Sequence, residues 1–303
     1  MEPTVLITGS AGLVGSALTT TLRAHGHRVL SLDLRDPDPH SRVDVRDAQA
    51  VHAAVLACTG IVHLAAVSRV IWGERDPGAC RATNIDGTRN LLDAALAAPH
   101  RPWLIFASSR EVYGQPRQLP ATEDTPLDPI NVYGHTKVAG ERMLLAARDQ
   151  GLRGAIVRLS NVYGSRADHH DRVVPAFVRA AVSGQPLRVD GADHTFDFTH
   201  VDDTARGIAM LANHLENGQP PPPPIQFLTG TPTTLGQLAA LTVELAGTQA
   251  PITHAPPRSY DVAQFHGSPE RARQFLDWSP RISLRDGLTR FIAAVRTEIG
   301  GAT

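Results

Sequence analysis

The chain has 303 residues, a formal net charge of −1 and 42% apolar side chains, enough for one large α/β domain with a smaller lobe. Its apolar runs are short and broken by polar residues, which excludes a bilayer-spanning helix, and its basic residues are interspersed with acids, which argues against a nucleic-acid or polybasic membrane surface. Cys58 and Cys80 have neither a metal spacing nor a disulfide framework, and the N-terminus lacks a signal-peptide layout, so a soluble, cytoplasmic protein is expected.

In chain order, Thr4–Thr8 is a β-branched apolar run ending in glycine, and Leu13–Ala24 carries Leu13, Val14, Ala17, Leu18 and Leu22 at helical spacing. Further strands are expected at residues 28–32, 60–64, 103–107 and 155–159, with helices over 77–98 and 132–150. This alternation predicts an α/β fold with a Rossmann-like, doubly wound parallel sheet. Residues 1–160 are assigned to that domain, with later segments also contributing to it. Residues 161–303, richer in proline and glycine, are assigned mainly to a smaller C-terminal substrate-binding lobe. The run Pro220–Pro224 reads as a stiff, extended surface spacer before a strand at 225–228.

Gly9, Gly12 and Gly15 stand at the junction of the first strand and first helix. Glycines there permit a tight turn, close approach of backbone to a pyrophosphate and close helix–strand packing. The helix start, Gly12-Leu13-Val14-Gly15, offers free N–H groups to the anion. Asp33 ends the second strand, where a carboxylate accepts from both hydroxyls of an adenosine ribose and repels a 2′-phosphate. NAD is therefore expected over NADP, although Arg35 close behind keeps NADP open.

The glycine turn, Thr8-Gly-Ser-Ala-Gly-Leu-Val-Gly15, is followed by Asp44-Val45, His63-Leu64-Ala65-Ala66, Asn84-Ile-Asp-Gly-Thr, and Ser108-Ser109-Arg110-Glu111-Val112-Tyr113-Gly114. Tyr133-Gly-His-Thr-Lys137 and Arg158-Leu-Ser-Asn161-Val-Tyr-Gly164 come next. In this order and spacing they resemble the extended short-chain dehydrogenases/reductases, the NAD-dependent epimerase/dehydratase family, over nearly the whole chain. The resemblance implies a tightly bound NAD with Asp44 and Val45 at the adenine. It puts Leu64, Ala65 and Ala66 on the nicotinamide side and Asn84 in support of the cofactor site. It further implies Ser109, Tyr133 and Lys137 as catalytic residues, Asn161 on a substrate diphosphate, and a nucleoside-diphosphate sugar as substrate. A homodimer using the helices at 84–98 and 133–150 is implied as well.

Tyr133 and Lys137 are four apart, which puts both on one face of a helix. A free tyrosine, with a pKa of about 10, is a poor base at neutral pH. A nearby ammonium favours the phenolate, which can then take a proton from a sugar hydroxyl as hydride leaves the same carbon. Ser109 would hydrogen-bond the reacting oxygen. The resemblance places this oxidation at C4 of a hexose, and the resulting ketone acidifies the hydrogen at C5. Three outcomes diverge from it: epimerisation at C4, dehydration by loss of the C5 proton and the C6 hydroxyl, or decarboxylation of a C6 carboxylate. Glu111 occupies a place where the resemblance implies a base at C5 or a group that orders the sugar; a surface glutamate is the plain alternative.

Two residues depart from the family pattern. Arg110 stands where hexose dehydratases carry an acid, and arginine cannot donate that proton. It reads as structural or solvent-facing, with bidentate pairing to a uronic acid carboxylate as the alternative. Phe196, in His194-Thr-Phe-Asp-Phe198, stands where sugar-nucleotide members carry arginine, which leaves Arg258 and Arg172 to meet a diphosphate. A net dehydrogenase or reductase of a sugar or small alcohol without a nucleotide is therefore the alternative function. A non-catalytic NAD-sensing protein is opposed by the intact Ser109, Tyr133 and Lys137. Asp168-His169-His170-Asp171 looks metal-like but reads as a solvated loop, so no metal is expected. Trp278 reads as core.

Overall fold

Thr4–Thr8 (β1) is buried at every position, as a strand covered by helices on both faces must be. Here and below the protein is seen in a computed structural model, which describes residues 3–258 and 262–300. Leu13–Ala24 (α1) leads to Arg28–Leu32 (β2), and Ala48–Leu56 (α2) leads to Gly60–His63 (β3). Val70–Arg75 (α3), Pro77–Arg81 (α4) and Gly87–Ala97 (α5) then precede Trp103–Ser109 (β4). Val132–Asp149 (α6) precedes Gly154–Leu159 (β5).

The smaller lobe begins with Asn161–Tyr163 (β6), Val173–Val182 (α7), Leu187–Asp190 (β7) and Thr195–His200 (β8). Val201–Glu216 (α8) and Ile225–Phe227 (β9) turn back to the first lobe. Pro232–Thr234 (β10), Leu235–Ala246 (α9) and Ile252–Ala255 (β11) follow, and Glu270–Leu276 (α10) and Leu284–Gly300 (α11) close the order.

The main sheet runs β2-β1-β3-β4-β5-β9, and every pairing in it is parallel. Strand order reverses at β1, between β2 and β3. In open parallel sheets that switch point is where a crevice forms beyond the strand ends. Leu18 and Leu22 of α1 pack with Leu211 and Leu215 of α8 on one face; Leu91, Ala95 and Leu144 from α5 and α6 cover the other. Residue 160 is therefore not a clean boundary. The segment through α8 and β9, together with fully buried Trp278, belongs to the core of the parallel sheet. The smaller lobe pairs β10-β8-β6 and β11-β7 around Phe177, Val178, Leu238 and Phe291.

One local expectation changes. Residues 77–98 are not one regular helix, because Ala82–Asp86 forms a π-turn between α4 and α5. Such a bulge inserts an extra residue into the turn, and the residue at its middle is Asn84. The proline spacer is also tied to the first lobe, since Arg148 of α6 donates to the carbonyls of Pro221 and Pro222. Among the described residues no helix is long and apolar enough to cross a membrane.

Candidate active site

A cavity of about 700 Å³ opens where the ends of β1, β3 and β4 face the smaller lobe, within the size range of small-molecule sites. At its first end is the glycine turn. Gly9 has a φ of +74°, a conformation that favours glycine. A Cβ on Gly15 would lie 2.1 Å from the Gly9 carbonyl oxygen, so helix and turn meet at backbone distance. The α1 N-terminus carries no side-chain cap, leaving its N–H groups for an anion. Ser10 Oγ beside it is buried without a hydrogen-bond partner.

Asp33, 7% exposed, is aimed by two backbone donors, Ala11 N at 3.0 Å and Arg35 N at 2.8 Å. Leu13, Val14, Asp44, Val45, Leu64, Ala65 and Ala66 line the same cavity. Arg46 donates to both Asp44 oxygens at 2.6–3.0 Å and holds that carboxyl below its ordinary value. A backbone cradle, an uncapped helix start, an orphaned hydroxyl and a fixed ribose acceptor fit a dinucleotide. Asn84 is the exception among the expected cofactor residues. It does not line the cavity; it lies behind it, accepting from Val67 N at 2.8 Å and donating to Thr136 Oγ1 at 2.9 Å. It ties the strand-end loop to α6 and so acts as a support.

At the other end, β4 delivers Ser109 and α6 delivers Tyr133 and Lys137 to one wall. Asn131 caps α6, its Oδ1 accepting from Gly134 N at 2.8 Å, which sets the first turn carrying Tyr133. Lys137 Nζ donates to the Ala107 carbonyl at 2.8 Å and lies 5.7 Å from the centre of the Tyr133 ring. Burial pushes the Lys137 ammonium down to about 8. Burial also pushes the Tyr133 hydroxyl up to about 12, against the opposing pull of Arg172 and a hydrogen bond with Ser109. The protein alone thus keeps Tyr133 protonated, poised for any added positive charge to release its proton.

Beside Ser109, Glu111 is buried and the Arg110 side chain is only 11% exposed, which corrects the solvent-facing reading of Arg110 and sets aside the surface alternative for Glu111. Arg110 Nη2 is 2.8 Å from Glu111 Oε1, and Arg110 Nε donates to Asn161 Oδ1 at 2.9 Å. Its guanidinium lies 4.6 Å from the centre of the Phe196 ring and 5.8 Å from that of Phe265. Glu111 Oε2 accepts from Asn131 Nδ2 at 2.8 Å. Phe196, Asn161, Arg172 and Arg258 all line the cavity.

Comparisons with known proteins point to one family. The family model described as "NAD dependent epimerase/dehydratase family" matches residues 5–224. The chain belongs to that family. A UDP-glucose 4-epimerase of Mycolicibacterium smegmatis is 31% identical, the match covering 97% of this chain and 98% of that protein. UDP-glucuronic acid decarboxylase 1 of Danio rerio is 29% identical over 97% of this chain and 73% of its own length. The solved structure of MoeE5 in complex with UDP-glucose and NAD superposes with a TM-score of 0.89 at 29% identity, covering 97% and 99% of the two chains.

This family member also carries site residues that sequence reading passed over. Arg69 and Trp72, past β3, line the cavity with His169 and Asp171 from the other lobe. Arg69 Nη1 meets Asp171 Oδ1 at 2.5 Å, and the Trp72 and His169 rings meet edge-on at 4.7 Å. The segment 168–171 is therefore not simply a solvated loop: Asp168 is 6% exposed and pairs with Arg172 at 3.5 Å. Arg188 of β7 adds a cation to the lining. Only Asn131 had a usable signal, an Asn three residues before a glycine at a helix start.

Proposed function

We propose that this enzyme oxidises a nucleoside-diphosphate hexose at C4 to a transient 4-ketone and resolves that ketone without net redox change. The observation that carries the reading is the convergence of the Gly9–Gly15 cradle and Asp33 with Ser109, Tyr133 and Lys137 on one cavity. NAD held by the Gly9–Gly15 cradle and Asp33 would supply a hydride acceptor and donor and add positive charge to the site. The chain's own residues handle the proton. Lys137, still largely an ammonium at neutral pH with its value near 8, favours the Tyr133 phenolate. Tyr133 takes the proton of the C4 hydroxyl and returns it on re-reduction, while Ser109 holds the same oxygen in place. Arg172, Arg188 and Arg258 supply positive charge for a diphosphate from the smaller-lobe side.

A homodimer through α5 and α6 belongs to the same reading; Leu145 on α6 is 42% exposed and offers an apolar position to a second copy. Buried, unpaired Cys58 and Cys80 suit a reducing cytoplasm. The deciding experiment incubates the NAD-loaded protein with UDP-glucose or UDP-galactose, following sugar products by NMR and reduced nicotinamide by absorbance. Interconversion with no net build-up of reduced cofactor is expected. Stoichiometric reduction without inversion at C4 would replace this reading with a net dehydrogenase.

A further inference from the structure

A ketone at C4 acidifies the hydrogen at C5, so any unengaged carboxylate beside the reaction centre is a base for it. Glu111 lies two residues past Ser109, on the cavity wall, and its charge is close enough to Tyr133 to oppose the phenolate. Its carboxylate is not unengaged. Oε1 is 2.8 Å from Arg110 Nη2 and Oε2 accepts from Asn131 Nδ2 at 2.8 Å, with the side chain 8% exposed.

Arg110 is itself fixed, by Asn161 at Nε and by the Phe196 ring beneath the guanidinium. Arginine stays charged at any working pH. Drawing Glu111 out of this pair would leave a largely buried guanidinium without its counter-ion, which is costly.

We infer that Arg110 is a positioning residue that keeps both oxygens of Glu111 engaged, so that the C4 ketone keeps its C5 hydrogen and is not dehydrated. The inference rests on the proposed C4 oxidation and narrows its outcome. The C4–H bond breaks as hydride and the O4 proton passes to Tyr133. Both then return, hydride to C4 and the proton to O4, while the C5–H bond is never opened. An unopened C5–H bond excludes loss of the C6 hydroxyl, so the substrate class is a nucleotide hexose that does not undergo elimination.

The test supplies the ketone ready-made, so it does not depend on C4 oxidation. A dTDP-linked 4-keto-6-deoxyhexose is incubated in D₂O with the NAD-loaded protein, and loss of the C5 proton signal is followed by NMR. Wild type is expected to match the Glu111→Gln variant and the enzyme-free rate. Arg110→Ser, which releases Glu111 to act as a base, is expected to exchange at least about ten-fold faster, and the Arg110→Ser/Glu111→Gln double variant to return to background.

Arg110→Lys, which keeps a cation beside Glu111, is expected to stay near wild type. Exchange by wild type above Glu111→Gln overturns the inference, and so does an Arg110→Ser protein that exchanges no faster than wild type. If Arg110→Ser does not fold, the comparison of wild type with Glu111→Gln decides alone. Failure of UDP-hexoses to invert counts against the proposed function and leaves these exchange rates as they stand.

Discussion

Lys137 and Tyr133 are buried one helical turn apart, the ammonium 5.7 Å from the phenol ring centre and anchored to the Ala107 carbonyl. Burial moves their proton affinities in ways that both disfavour charge, Lys137 down to about 8 and Tyr133 up to about 12. Turnover needs the phenolate and the ammonium together. Raising pH favours the first but discharges Lys137 above about 8, so the rate is expected to climb toward that pH and level off beyond it, the gain in phenolate offset by the loss of ammonium. Lys137→Met removes the cation. It should lower kcat by roughly 10²- to 10⁴-fold, the usual weight of a general acid–base contribution, and let the rate go on rising where wild type levels off. Steady-state rates across pH check both points.

Gly15 sets whether the cofactor cradle can exist at all. Its Cβ would fall 2.1 Å from Gly9 O and 2.7 Å from Ser10 Cα, both fixed backbone atoms. Gly15→Ala must therefore push α1 away from the turn, at a cost of about 1–3 kcal/mol of overpacking. The purified variant is expected to carry little NAD, measured by release of the cofactor on denaturation, and to melt at a lower temperature than wild type.

What could be read from the chain follows how local each feature is. Tyr133 and Lys137 share one helix, and Gly9, Gly12 and Gly15 share one turn, so spacing alone implies their common face and their close approach. Asp33 is legible because a strand end fixes its place. The partners of Arg110 are not: Asn161 stands 51 residues away, and Phe196 comes from a strand of the other lobe. A guanidinium buried between two rings looks, in one dimension, the same as one in water. The Ala82–Asp86 π-turn escaped because helical periodicity does not register a single extra residue in one turn.

Arg69 and Asp171, 102 residues apart, join the two lobes over the shared cavity. Asp171 is 63% exposed, so the ion pair itself should contribute no more than about 1 kcal/mol to stability. Arg69→Ala is accordingly expected to leave the melting temperature nearly unchanged. The same variant releases the Trp72–His169 contact from one of its supports, since Arg69 also lies 5.8 Å from the Trp72 ring centre. NAD dissociation, followed by exchange with added labelled cofactor, is expected to be several-fold faster. A lower melting temperature with unchanged exchange would show that the pair serves folding instead.

His63 makes the enzyme acid-sensitive in a way that can be assigned to one side chain. It ends β3 and is fully enclosed, with Nδ1 at 2.7 Å from Thr8 Oγ1 and Nε2 at 2.9 Å from Thr88 Oγ1. Burial, reinforced by the charge of Lys137, pushes its imidazole down to about 3 from an ordinary 6.5. The native protein then stays unprotonated at His63 while the unfolded chain takes up a proton below pH 6.5. More protons bound in the unfolded state means stability falls as pH falls. The His63 contribution is intact above pH 6.5 and erodes by up to about 1.4 kcal/mol per pH unit down toward pH 3. His63→Gln retains hydrogen-bonding groups toward the two threonines but cannot titrate. Denaturant unfolding between pH 7 and pH 5 should show a shallower loss of stability in that variant than in wild type; equal slopes would mean that other groups set the acid sensitivity.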